Sequence, residues 1–206
     1  MKDEYSIENL RQIIKSHISG KRYDHTLGVE REIERLGEIF LPDRITELRA
    51  AALLHDITKQ LSFEEHLAIY EKYGATPSQS CIRAHKLLHS QTAALVIKNE
   101  YPRYDLPDII SAVLNHTSGM VGMSVFDMLL FLADYIEDGR TFPDCVILRD
   151  FFWNGIDEKK NDAERLTHLY ATMAYGLDMT IKNLIDEGKY IAPETVDARN
   201  WFVSLI

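Results

Sequence analysis

Cysteine is scarce in this chain. Cys81 and Cys145 are its only two, with no CxxC pair and no framework spacing, so they read as free thiols in a reducing compartment. Long apolar runs are missing too: no stretch approaches the roughly 18 apolar residues of a membrane span. The opening Met1-Lys2-Asp3-Glu4-Tyr5 lacks the basic and apolar regions of a signal peptide. These absences predict a cytoplasmic protein that does not engage a membrane. Low-complexity tracts and internal repeats are absent, and no convincing two-residue alternation of apolar and polar side chains appears, which argues against strands.

Positive charge is in the minority. Lys and Arg total 23 against 32 Asp and Glu, a formal net charge of −9, and such a balance lacks the basic face that displaces counterions from nucleic acid. A small phosphorylated ligand remains compatible with it. A metal and a few local cations, of which Lys21, Arg22, Lys59, Lys86 and Arg140 are candidates, can reverse the sign of one cleft.

What is present is helical spacing from end to end. With 46% hydrophobic and 27% charged residues, the chain reads as an ordered globule large enough for a sizeable core. A single domain over residues 1–206 is expected, with a core at about 20–140 and a C-terminal helical region at about 160–206. Ser6 can cap a first helix through Ile7, Leu10, Ile14 and Ile18 to Gly20. A second carries Val29, Ile33, Leu36 and Phe40 on one stripe, and one turn before Val29 lies His25, which therefore faces the core. Asp43 can cap a third, where Ile45, Leu48, Ala52 and His55 share a face.

Ser62 and Glu65 fit a capping box. A helix from about Cys81 to Glu100 places His85 and His89 one turn apart, and the next carries Ile109, Val113 and His116 on one stripe. Ser124 can cap the segment Met128–Ile136, apolar on every side except at Asp134. A long helix runs from about Asn161 to Gly188, and the tail from Ile191 is less regular. Phe151-Phe152-Trp153 is either a homodimer patch or a core loop. The fold class is all-α, a multi-helix bundle packed around His25, His55-Asp56, His116 and Asp134.

Ionisable groups on apolar helix faces are costly unless paired or bound to metal. One inward histidine is commonly a core residue bonded to a carbonyl. Two His and two Asp on three helices, however, make a mixed nitrogen and oxygen donor set suited to a divalent ion.

The order His25, then His55-Asp56, then Asp134 resembles the metal signature of the HD superfamily of phosphohydrolases. More narrowly, Lys21–Val29, Leu53–Lys59, Asn115–Gly119 and Ala133–Arg140 resemble successive blocks of the YqeK family, and the likeness runs from about Ser6 to Phe202. The resemblance implies a metal-dependent hydrolase that cuts diadenosine tetraphosphate symmetrically into two ADP by metal-activated water. It implies that His25, His55, Asp56 and Asp134 hold the metal, iron first, with Mn, Co, Zn or Mg as alternatives. It places His89, His116 and Thr117 at the substrate phosphates or a second metal, and Arg140 at a phosphate; catalytic roles then fall to His55, Asp56, His89 and His116. Lys59, one turn beyond Asp56, is a further candidate phosphate donor, or else a helix C-terminal cation interacting with the dipole. One departure is Ser90, where family members commonly carry Gly after the histidine, and His85 is the alternative to His89. Tyr175 is a candidate for stacking an adenine.

Two other readings stand beside this one. A different HD phosphohydrolase would use the same ligands on another nucleotide. A regulatory nucleotide-binding module would keep the metal only as a staple, but it would not need the donors His89, His116 and Arg140.

Overall fold

A computed structural model describes residues 6–206. Its helices are α1 (Ile7–Ile14), α2 (Lys21–Phe40), α3 (Ile45–Leu54), α4 (Phe63–Lys72), α5 (Gln79–Arg83), α6 (Leu88–Glu100), α7 (Pro107–Asn115), α8 (Val125–Ile136), α9 (Pro143–Ile156), α10 (Asp162–Asp186) and α11 (Pro193–Val203). No strand occurs among the described residues.

Serine starts many of these helices. The hydroxyls of Ser6, Ser62, Ser78 and Ser124 accept from the backbone N–H of Asn9, Glu65, Cys81 and Asp127, and Glu65 and Asp127 complete two capping boxes. Each cap is worth about 1 kcal/mol, because it satisfies an N–H that the helix leaves without a partner. Proline opens α7, α9 and α11, where its missing donor costs nothing.

The long α2 lies against α3 and α8, while α7 bridges α3, α6 and α8. Val29, Ile33 and Leu36 of α2 are fully buried in a core that continues from Leu10 to Phe202. At one edge Arg11 and Arg49 both donate to the buried Glu30 carboxylate, which ties α1, α2 and α3 together. The α10–α11 pair packs on this body through α8 and α9. Nine of the twelve residues of α8 are buried, which makes it the central helix its composition predicts.

Several local expectations are corrected. Asp43 does not cap α3; it sits in a short 3-10 turn, Pro42–Arg44, and α3 begins without a side-chain cap. The helix predicted over 81–100 is broken, since Ala84 is extended at φ −127° and ψ 84°, and a 3-10 turn, His85–Leu87, joins α5 to α6. The break frees His85 from the face of His89. Its exposed ring stacks on Phe63, with centroids 4.3 Å apart. Phe151-Phe152-Trp153 is not a loop but part of α9: Phe152 is fully buried, Trp153 donates to Glu32 at 2.7 Å, and Phe151 is exposed. The tail is helical as α11, which buries Ala198 and Phe202.

Candidate metal centre and cleft

The site is assembled at helix ends. His25 comes from the first turns of α2, His55 follows the last residue of α3, and Asp56 and Lys59 lie in the turn after it. His89 stands at the start of α6, His116 just past α7, and Asp134 in the last turn of α8. Helix ends leave carbonyls without intrahelical partners, and the histidines use this. His55 Nδ1 lies 2.6 Å from the carbonyl of Ala52, His89 Nδ1 2.6 Å from that of Lys86, and His116 Nδ1 2.7 Å from that of Val113.

A carbonyl can only accept, so in each ring Nδ1 carries the proton and Nε2 keeps its lone pair. In His25, Nδ1 faces the Glu137 carboxylate at 3.0 Å and Nε2 turns toward Asp134. Three imidazoles thus present Nε2 lone pairs toward one space, His25 Nε2 faces it as well, and two carboxylates border it. His25 Nε2 is 2.9 Å from Asp134 Oδ1, and His55 Nε2 is 3.4 Å from Asp56 Oδ2 and 3.9 Å from Asp134 Oδ1. Asp56 Oδ1 is 3.3 Å from His89 Nε2 and 3.7 Å from His116 Nε2.

His25 Nε2, His55 Nε2 and Asp56 Oδ1 are buried and, for all their polar neighbours, make no well-directed hydrogen bond, which is expensive for groups of this polarity. A divalent cation is the partner their geometry fits. Donor atoms of His25, His55 and Asp134, and again those of His55, Asp56 and His116, lie within 4.8 Å of one another. The predicted quartet is therefore brought together, and His116 stands at ligand distance beside it.

Electrostatics agree with a cation site. Burial works to raise the pKa of Asp56, but His55 and Lys59 overcome it and hold the carboxyl well below the usual range. Asp134 is likewise held low, with Arg140 and His25 outweighing burial. Burial depresses the pKa of His89, with help from Lys59, and of His116, so both rings are neutral. For His25 burial is overcome by Asp134 and Glu137, which raise its pKa; carboxylates that favour an added proton also favour a metal.

His89, not His85, reaches the site. Its Nε2 accepts from Lys59 Nζ at 2.9 Å and lies 3.2 Å from Thr117 Oγ1 and 3.0 Å from His116 Nε2. The Ser90 hydroxyl turns away to the Leu87 carbonyl. Arg22 donates to Asp56 Oδ2 at 2.8 Å and Arg140 to Asp134 Oδ1 at 2.6 Å, while Lys21 is exposed.

A cleft of about 960 Å³ opens over these groups. Lys59, His116, Thr117, Asp134 and Arg140 line its floor, α5 and the 3-10 turn after it form one wall, and α8, α9 and α10 form the other. Tyr175 is not part of it; that ring lies edge-on to Phe151, with centroids 5.2 Å apart.

Two supporting residues escaped the sequence reading. Glu137 is buried and holds His25, while its other oxygen accepts the Gly139 N–H at 2.6 Å. Its signal was present: it follows Asp134 by three residues, on the same side of the helix end. Arg149 of α9 donates to the carbonyls of Ile136, Glu137 and Arg140. It gave no signal, because its hydrogen bonds go to backbone atoms and its one side-chain contact is the exposed Asp138 at 3.6 Å.

The chain belongs to the HD-domain family, whose pattern matches residues 22–139, and this is a phosphohydrolase domain. Among characterised relatives, the symmetrical bis(5′-nucleosyl)-tetraphosphatase of Bacillus subtilis (strain 168) is 30% identical over 191 residues, 93% of this chain and 94% of that protein. The protein of the same description in Staphylococcus aureus (strain NCTC 8325 / PS 47) is 27% identical, over 96% of this chain and 94% of its own length. A crystal structure from Clostridium acetobutylicum, described as a "predicted HD superfamily hydrolase involved in NAD metabolism", superposes with a TM-score of 0.83 at 30% identity, covering 98% of this chain and 99% of that one.

Proposed function

We propose that this chain hydrolyses diadenosine tetraphosphate symmetrically, giving two ADP. The observation that carries the reading is the cluster of Nε2 lone pairs and carboxylates on the floor of a cleft bordered by phosphate-binding cations. The relatives that match nearly the whole chain bear the name of this activity.

His25, His55, Asp56 and Asp134 would hold a divalent cation; the mixed donor set suits Fe, Mn, Co or Zn alike, and the family resemblance points to iron first. Such a cation supplies charge at a phosphoryl oxygen and an acidified water as nucleophile. The remaining groups then have separable tasks. Arg140 and Lys59 present fixed positive charge where the transition state spreads negative charge. Neutral His89 and His116 keep their rings pinned through Nδ1, so Nε2 can take or share a proton at the reacting phosphate. Thr117 adds a hydroxyl donor beside His89. No helix among the described residues is long and apolar enough to cross a membrane, and the two buried free thiols suit a cytoplasmic setting.

The test is anaerobic purification with elemental analysis, followed by incubation with diadenosine tetraphosphate and chromatography of the products. ADP as sole product, lost on chelation and restored by a divalent metal, is the expected result. ATP plus AMP would move the cleavage position, and bound metal without hydrolysis would move the substrate to another nucleotide.

A further inference from the structure

Two chemically different groups of residues line the cleft beside the His/Asp cluster. On one side Asp134 leads to Tyr135 and Phe131, and Arg140 to Cys145 and Phe142, an aromatic and apolar arm. On the other, His89 is bonded to the carbonyl of Lys86, and from there the wall continues to Arg83. Arg83 stands over the ring of Tyr190, with its guanidinium carbon 5.5 Å from the centroid. Lys86 and Lys189 line the same cleft, Lys189 paired with Glu187, while the Glu194 carboxylate accepts from Ser80 of α5.

The arms are separated along α10. Thr180 borders the aromatic arm, while Glu187, at the end of the helix, borders the cationic one. Seven residues at 1.5 Å each put about 10 Å between them. In a chain of net charge −9, three cations against the two carboxylates Glu187 and Glu194 at this end is a local reversal of sign, of the kind that recruits phosphate.

Resting on the diadenosine tetraphosphate reading, we infer that Arg83, Lys86, Lys189 and Tyr190 form a second nucleotide subsite, for the half of the substrate that departs as the second ADP. A substrate cut at its centre has two equal arms, so a catalytic centre with a cleft on only one side would leave half of it in solvent. The Tyr190 face and the Arg83 guanidinium offer stacking surfaces to a base, an interaction that tolerates any base. Lys86 and Lys189 supply ammonium donors to the phosphates that lead away from the metal. The subsite sets the substrate class as a dinucleotide, while the aromatic arm receives the first nucleoside.

The experiment uses the full, metal-loaded chain and calorimetry with two probes: a hydrolysis-resistant methylene analogue of diadenosine tetraphosphate, and ADP. Tyr190→Ala, checked for unchanged metal content and melting temperature, should weaken the analogue about tenfold or more and reduce bound ADP from two equivalents to one. Tyr190→Phe should restore both, because it keeps the ring. Unchanged binding in Tyr190→Ala, a single ADP on the wild-type chain, or no rescue by Tyr190→Phe would each overturn the subsite. Failure of the functional reading looks different: the wild-type chain would keep its metal, yet neither bind the analogue nor cleave the parent compound.

Discussion

Gly28 and Glu137 share a space with room for one side chain. A Cβ on residue 28 would lie 2.2 Å from Glu137 Oε2 and 2.9 Å from its carboxyl carbon, so the α2 backbone comes against the very carboxylate that orients His25. Residue 28 thereby governs a metal ligand three positions away. Gly28→Ala should push Glu137 off His25 and cost about 1–3 kcal/mol through overpacking, with weaker metal retention. Metal titration and urea unfolding of the variant measure the two effects.

Glu137→Gln keeps the volume and removes the charge. The loss of a carboxylate behind a ligating histidine typically lowers metal affinity about 10–100-fold. Competition against a calibrated chelator reads this directly. Affinity equal to that of the wild type would show that Glu137 only fills space.

Substitutions at the centre should divide by role. His55→Ala and Asp56→Ala should abolish both hydrolysis and metal retention. Arg140→Ala should keep the metal and mainly raise KM, because Arg140 stands beside Asp134 rather than among the Nε2 donors. Elemental analysis with steady-state kinetics separates these outcomes, and full activity in a metal-free Asp56→Ala protein would end the hydrolytic reading.

Arg149 closes three carbonyls of the 136–140 turn. Arg149→Met should remove the side-chain donor from the Ile136 and Arg140 carbonyls, while the Glu137 carbonyl keeps the Arg140 N–H, at about 1–3 kcal/mol for each acceptor left dry. The expected signature is a lowered melting temperature together with faster metal loss to chelator, since both Glu137 and Arg140 belong to that turn.

Acid sensitivity should include two histidines remote from the metal ligands. His66 and His168 are buried with pKa values lowered from 6.5, burial being the largest cause for each; for His168 the Phe152 carbonyl and Glu158 oppose it and Lys159 adds to it. The unfolded chain takes up the proton first. Their contribution is therefore present above about pH 6.5 and is lost as pH falls toward the lower folded-state values. Urea midpoints at pH 7.5 and 5.0 should fall less for a His66→Gln/His168→Gln double variant than for the wild type.

That His25, His55 and Asp134 come together was legible because each is a polar residue on an otherwise apolar helical stripe, and periodicity reports that face; Asp56 was read from its place beside His55. The caps at Ser6, Ser62 and Ser124 were legible for a similar reason, since their partners lie three residues on. What escaped was set by distant partners. The break at Ala84 follows no local signal such as Gly or Pro, and Phe151-Phe152-Trp153 reads as loop or patch until α10 is there to cover Phe152. Tyr190 lies outside any periodic segment, and only the fold brings Arg83 over it.

Three of the histidines are fixed to the carbonyl three residues behind them: Ala52 for His55, Lys86 for His89 and Val113 for His116. Each ring is therefore aimed by its own helix end. Rings held in this way would meet an ion with little side-chain rearrangement, and one divalent ion could replace another without remodelling the protein.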